Sequence, residues 1–289
     1  MNRFFLYFFV FSKLFSQELS ESLITVMDKP LIKDDSRYHL TPLLLDIAKN
    51  GNNFSSEKKY ELQKLGFNFK SPLVSRSFTK RSESNGLDES YDIGGIRLHY
   101  TTSGYHAVNN SDINGNNIPD YIDSVAIIFE NVTNNLHNKM GYLLPPSDGH
   151  YTLTRDKGGS EHYDVYIRNL SSKYYGYVQP EEFAQGNGDN EQSNTFKEVN
   201  AFTSYMAIRN NYSNFPLDEL NALKVTIAHE YYHAIQFGYD GWEKPWLLEA
   251  SAVWMEEEIY DEINDCYQYM EEWFSFPHRS LDESGYHWY

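Results

Sequence analysis

Residues 226–238, TIAHEYYHAIQFG, set two histidines four positions apart with a glutamate directly after the first. The order is H-E-x-x-H: His229, Glu230, His233. Leu220, Leu223, Ile227 and Ala234 recur around them at helical spacing, with Pro216 placed for the first turn. Asp218 and Glu219 suit the positive end of the macrodipole, and Gly238 is placed to end the helix. On such a helix, residues i and i+4 project from one face about 6 Å apart. The two imidazoles can therefore converge on one metal ion through one ring nitrogen each, with Glu230 within reach of a water beside it. The alternative is a pair of histidines on a solvated face.

The next segment weighs against that alternative. A catalytic zinc ion takes three protein ligands and keeps a fourth position for water. The run WEKPWLLEASAVWMEE supplies Glu249 sixteen residues after His233, on a new helix entered at Pro245 and extending to about Ile263. The gap accommodates a short loop and a return helix packed antiparallel on the first. Trp246, Leu247 and Leu248 are expected to wall off the site, and apolar neighbours of this kind disfavour a surface carboxylate.

These segments resemble the gluzincin-type zinc metallopeptidases, in which H-E-x-x-H is followed on a second helix by a glutamate ligand. PWLLEASAVWMEE is close to the P-W-L-x-E-G-x-A signature of bacterial members. LHYTTSGYHAV, DINGNNIPDYID, YDVYI, YYGYV and HEYYHAIQFGYD, within roughly residues 96–270, resemble a wider set of secreted bacterial metalloproteases. The resemblance implies an α+β, zincin-like domain with a small mixed sheet packed on the active-site helix and a following glutamate helix. It implies Zn2+ on His229, His233 and Glu249, and a secreted endopeptidase acting on a peptide or protein substrate. Zinc would acidify a water and polarise the scissile carbonyl, while Glu230, as general base, takes the proton and passes it to the leaving amine.

The departures from that pattern are specific. Ala250 replaces the usual glycine after the ligand, and Val253 stands where many members place an acidic residue that orients the first histidine. Another residue must then serve His229. Gln236 and Tyr239 occupy positions where the metzincin pattern requires Gly and His, which excludes it. Candidate oxyanion donors are Tyr232, Tyr286, His287 and Tyr289. The strand expected over Asn200–Ile208 is a candidate to hold an extended peptide by edge pairing. The chain ends 40 residues after Glu249, where members of that group carry a helical subdomain, so the domain is expected to be compact or cut short there.

Elsewhere the chain reads as three parts. Residues 1–17 have a basic start at Arg3 and an apolar run from Phe4 to Phe11, too short for a membrane span, and read as an export signal. Residues 18–90 form a helical region, with Thr41–Gly51 begun by a capping threonine and Ser55–Gly66 repeating the pattern, then a Ser/Arg/Lys-rich linker from Ser71. This part is either a propeptide or a spacer. Residues 91–289 are the catalytic domain, with strands at Ile96 and Tyr163–Leu170 and a helix from about Pro119 to Met140.

With 40% hydrophobic and 16% aromatic residues, including 24 Tyr and 18 Phe, the chain can build a sizeable core. A net charge of −17 argues against nucleic acid or an anionic membrane as partner, and no later segment is apolar enough to span a bilayer. Cys266 is the only cysteine, so no internal disulfide forms; it reads as a small hydrophobe rather than a nucleophile.

Structural Ca2+ is one substitute for disulfides in an exported protein. DINGNNIPDYID sets Asp112, Asn114, Asn116, Asp120 and Asp123 near the spacing of an EF-hand-like loop. It departs in Gly115, Pro119 and a final Asp, and an Asn/Gly turn capping the next helix is the alternative. The rival reading of the whole chain is a calcium-stabilised surface adhesion or glycan-binding module on a degenerate zincin fold. Oligomeric state and substrate preference leave no mark on the sequence.

Overall fold

The computed structural model describes residues 23, 40–69, 74–76, 86–148, 158–170, 174–184, 200–275, 277–278 and 280. The export signal at 1–17 and most of the expected linker lie outside them, as do Tyr286, His287 and Tyr289. The described chain is mixed α+β, built on a five-stranded sheet in the order β3-β4-β5-β7-β6. β3 (Glu89–Ile93) and β4 (Ile96–Tyr100) form a hairpin across Gly94-Gly95, where Gly94 takes φ 55°, as a two-residue hairpin turn demands. β4, β5 (Tyr163–Arg168) and β7 (Phe202–Arg209) run parallel. β6 (Gly176–Phe183) pairs antiparallel with β7 at the edge. Its Pro180, which has no N–H to donate, fits an edge position.

Parallel neighbours need a crossover, and α3 (Asp120–Thr133), continued by a π-helical turn over Asn134–Lys139, lies in the connection from β4 to β5. β7 leads into the 22-residue helix α4 (Glu219–Asp240), then α5 (Pro245–Tyr260) and α6 (Tyr267–Ser275). Alternation along the strands divides the apolar residues between two layers. Leu98, Val165, Ile167, Val178, Met206 and Ile208 join the core formed with α3 and α4. Tyr166, Tyr177, Tyr205 and Ala207 belong to a second cluster with Leu23, Val74, Leu170, Tyr174 and residues of α1 (Leu40–Asn50), α2 (Ser56–Lys64) and β1 (Phe67–Asn68), which pairs with β2 (Ser75–Arg76). The tyrosines so abundant in the sequence therefore include major core elements: Tyr166, Tyr205, Tyr212 and Tyr231 are fully buried.

Several local expectations are revised. α4 starts later than Pro216: Asp218 caps it by accepting from the Asn221 N–H at 3.1 Å. It also continues past Gly238 to Asp240, with Gly241 as its C-cap; Phe237 is buried and the Tyr239 hydroxyl accepts the Leu143 N–H at 3.0 Å. β7 has β5 on one side and β6 on the other, so the 200–208 stretch has no open edge for a peptide. β6 is the edge strand instead. Ser55 caps α2 as expected, accepting from the Lys58 N–H. No helix of the described residues is long and apolar enough to cross a membrane.

Candidate metal centre

His229 and His233 lie mid-way along α4, on a stretch that is buried all round, and Glu249 lies in the N-terminal half of α5. Pro245 opens α5 at a position where its missing N–H costs nothing. The short connection turns α5 back onto α4. Their side chains meet in the interior: His229 Nε2 and His233 Nε2 are 3.0 Å apart, and the Glu249 carboxylate lies 3.3 Å from the first and 3.2 Å from the second. All three are at most 4% exposed, and their ligand atoms fall within 4.8 Å of one another, so the triad could hold a metal ion.

What aims the rings is a pair of contacts the sequence reading did not assign. His229 Nδ1 is 2.6 Å from Glu256 Oε1, and His233 Nδ1 is 2.7 Å from Gln236 Oε1. With Nδ1–H donated in each case, both Nε2 lone pairs face the triad. Gln236 is held in turn, donating through Nε2 to the Leu248 carbonyl and the Ser251 hydroxyl, each at 2.9 Å. Glu256 takes the orienting role that Val253 cannot fill. It lies seven residues after Glu249, two turns on and on the same face of α5.

Glu230 is 5% exposed and packs toward β6, where a Cβ on Gly176 would meet its Cγ at 3.2 Å and the Ala207 carbonyl at 3.0 Å. A side chain there would press on both neighbours, so glycine suits the close approach. Thr41 of α1, read from the sequence as a helix cap, instead donates its hydroxyl to Glu230 Oε2 at 3.0 Å. A buried carboxylate is the stronger acceptor, and α1 begins one residue earlier, at Leu40.

The electrostatics favour a cation. Burial raises the Glu230 carboxyl above its usual range, against the pull of His229 and His233. Burial likewise pushes Glu256 up to about 7, with His229 opposing. Burial acts against a charged His229, yet Glu249 and Glu256 together hold it well above the usual imidazole range. Three buried carboxyl groups around two imidazoles gain from positive charge in their midst, whether a proton or a divalent ion.

Of the remaining expected site residues, Tyr232 donates to the Tyr142 hydroxyl at 3.1 Å, within an aromatic cluster that includes Tyr239. Leu248 is buried near the site, whereas Leu247 is exposed rather than walling it off. The 112–123 residues do gather, Asp112, Asn114 and Asn116 on an exposed loop and Asp120 and Asp123 on the first turn of α3. Asp112 accepts from the N–H groups of Gly115, Asn116 and Asn117, Asp120 from Ser111 and Ile113, and Asp123 from the Asn114 and Asn116 amides at 2.8–3.2 Å. These donors come from the loop itself and describe a turn leading into α3.

Fold and site together define a mixed α+β protein with a buried centre of two histidines and one carboxylate, suited to a metal ion. No family model, curated protein or solved structure matches the chain.

Proposed function

We propose that the chain is a zinc-dependent endopeptidase with a zincin-like core. The observation that supports this most is the spacing of three buried donor atoms, 3.0–3.3 Å apart, beside a separate buried carboxyl group, Glu230. Donors about 2.0–2.1 Å from a tetrahedral zinc ion are held about 3.3 Å apart, so this triad fits one with little movement. Two histidines and one glutamate also leave a vertex open, as catalytic sites do, whereas structural sites fill all four.

Bound there, zinc supplies Lewis acidity and lowers the pKa of a water toward neutrality. The chain's own residues do the rest. Glu256 and Gln236 fix the ring orientations. Glu230, with its affinity for protons raised by burial, suits a group that takes a proton from the attacking water and hands it to the leaving amine. β6, an edge strand packed against Glu230, is the kind of strand to which an extended peptide adds. A binding module of the rival kind has no use for a buried base next to the triad.

Metal analysis tests the first half of this reading: wild type should bind one zinc per chain and His233→Ala should lose it. Hydrolysis of casein tests the second. Glu230→Gln should keep its zinc and lose hydrolysis. A wild type that binds no zinc, or a Glu230→Gln variant as active as wild type, removes the assignment.

A further inference from the structure

We propose that α1 is an inhibitory plug over the metal centre, an inference that rests on the peptidase reading above. Thr41 is 2% exposed and uses its hydroxyl twice. Oγ1 donates to Glu230 Oε2 at 3.0 Å and accepts the Val178 N–H at 2.9 Å. The first contact engages an oxygen of the proposed base. The second engages the outer edge of β6, because the other edge of that strand is paired with β7. Pro180, outward again by strand alternation, offers no N–H. Val178 is thus a donor that an incoming peptide needs, and α1 holds it.

α1 is seated rather than draped. Leu40, Leu43, Leu44 and Ile47 join the N-terminal cluster, while Leu45 and Ala48 join the cluster shared with α4. At its far end Lys49 Nζ donates to the Glu243 carbonyl, in the loop between the two helices that carry the triad, at 3.1 Å. One helix therefore touches the base, the edge strand and that loop. His229, Glu230, His233 and Glu249 are left 0–5% exposed. A hydrolase site has to admit both water and a peptide, and α1, which engages the base and the edge strand, is the element proposed to move. The plug opens by displacement of α1 rather than by loss of the whole N-terminal layer, since that loss would strip the cover from Tyr166, Tyr177 and Tyr205.

The test uses the full-length chain, incubated with zinc, as wild type, Thr41→Ser, Thr41→Val and Lys49→Ala. Zinc stoichiometry is read first; a wild type without zinc ends the peptidase reading itself, and the plug with it. Three further readouts address the plug: zinc extraction by a chromogenic chelator, hydrogen exchange at the Val178 amide, and hydrolysis of a quenched fluorescent peptide. Thr41→Val is expected to lose zinc and cleave peptide about tenfold faster than wild type, with faster exchange at Val178, while Thr41→Ser behaves as wild type. Lys49→Ala, remote from Glu230, should shift all three in the same direction and stands in if Thr41→Val does not fold. The plug is overturned if the folded variants cleave more slowly, which would make Thr41 a positioning residue for Glu230, or if no readout changes while zinc stays bound.

Discussion

Glu256 and Gln236 differ from the triad in how plainly the sequence announces them. Nothing in E-E-E over 256–258 distinguishes its first member except helical phase, which returns to the Glu249 face after seven residues. Removing such orienting partners from metal-bound histidines typically costs 10–100-fold in affinity. Glu256→Leu should therefore weaken zinc binding by about 100-fold and Glu256→Gln, which keeps an acceptor, by about tenfold, as read by competition with a chromogenic chelator. Equal affinities for all three proteins would show that the contact does not position His229.

His106 carries a separate prediction. Burial, and next the charge of Arg168, lower its pKa to about 3, and donors approach both ring nitrogens: Arg168 at 2.8 Å and the Asn169 N–H at 3.2 Å. The unfolded chain takes up this proton near pH 6.5, while the folded chain resists until about 3. The contribution is whole above pH 6.5 and drains away as pH falls toward 3, by up to about 1.4 kcal/mol per pH unit. Urea unfolding of His106→Gln should show a flatter loss over that window than wild type.

At the scale of elements, α4 was legible because its apolar spacing, cap and paired histidines agree. β6 was not read as a strand, since YYGYVQPEEF carries a proline and little alternation, and its position at the edge depends on β7 taking the centre. Close approaches are equally silent in sequence. Gly241 has an ordinary φ of −68°, so its need for glycine is spatial: a Cβ would overlap the Phe202 ring. Gly241→Ala should cost about 1–3 kcal/mol by overpacking, seen as a lower melting temperature, and a neutral result would mean that the ring moves aside freely. The 112–123 loop satisfies its carboxylates internally. If the loop is a turn alone, Asp112→Ala should lower stability to the same extent with and without millimolar Ca2+; a large calcium-dependent stabilisation of wild type alone would mark it as a Ca2+ loop.

For the whole molecule, a metal ion taken up by the triad would be linked to folding, because its donors come from two helices that must pack together. A ligand that binds only the folded chain at 100 times its Kd adds about 2.7 kcal/mol. Zinc should thus raise the melting temperature of wild type by several degrees, EDTA should reverse the shift, and His233→Ala should show none. The acidic balance of −17 adds self-repulsion that one or two divalent ions only partly offset, so the effect should be read at fixed ionic strength.

Helical spacing by itself determined that His229 and His233 share a face, that Glu230 stands beside them, and that a second helix begins at Pro245 with Glu249 near its start. These are local consequences of a 3.6-residue turn and of proline's missing donor, and they hold wherever such a segment folds as a helix. The tertiary structure decided the rest: that Glu249 turns inward, that Glu256 rather than Val253 meets His229, that β6 and not β7 lies at the edge, and that Thr41 reaches Glu230 across 189 positions of chain. Contacts of that span depend on which layers pack together, a property of the whole buried surface that no short window of sequence contains.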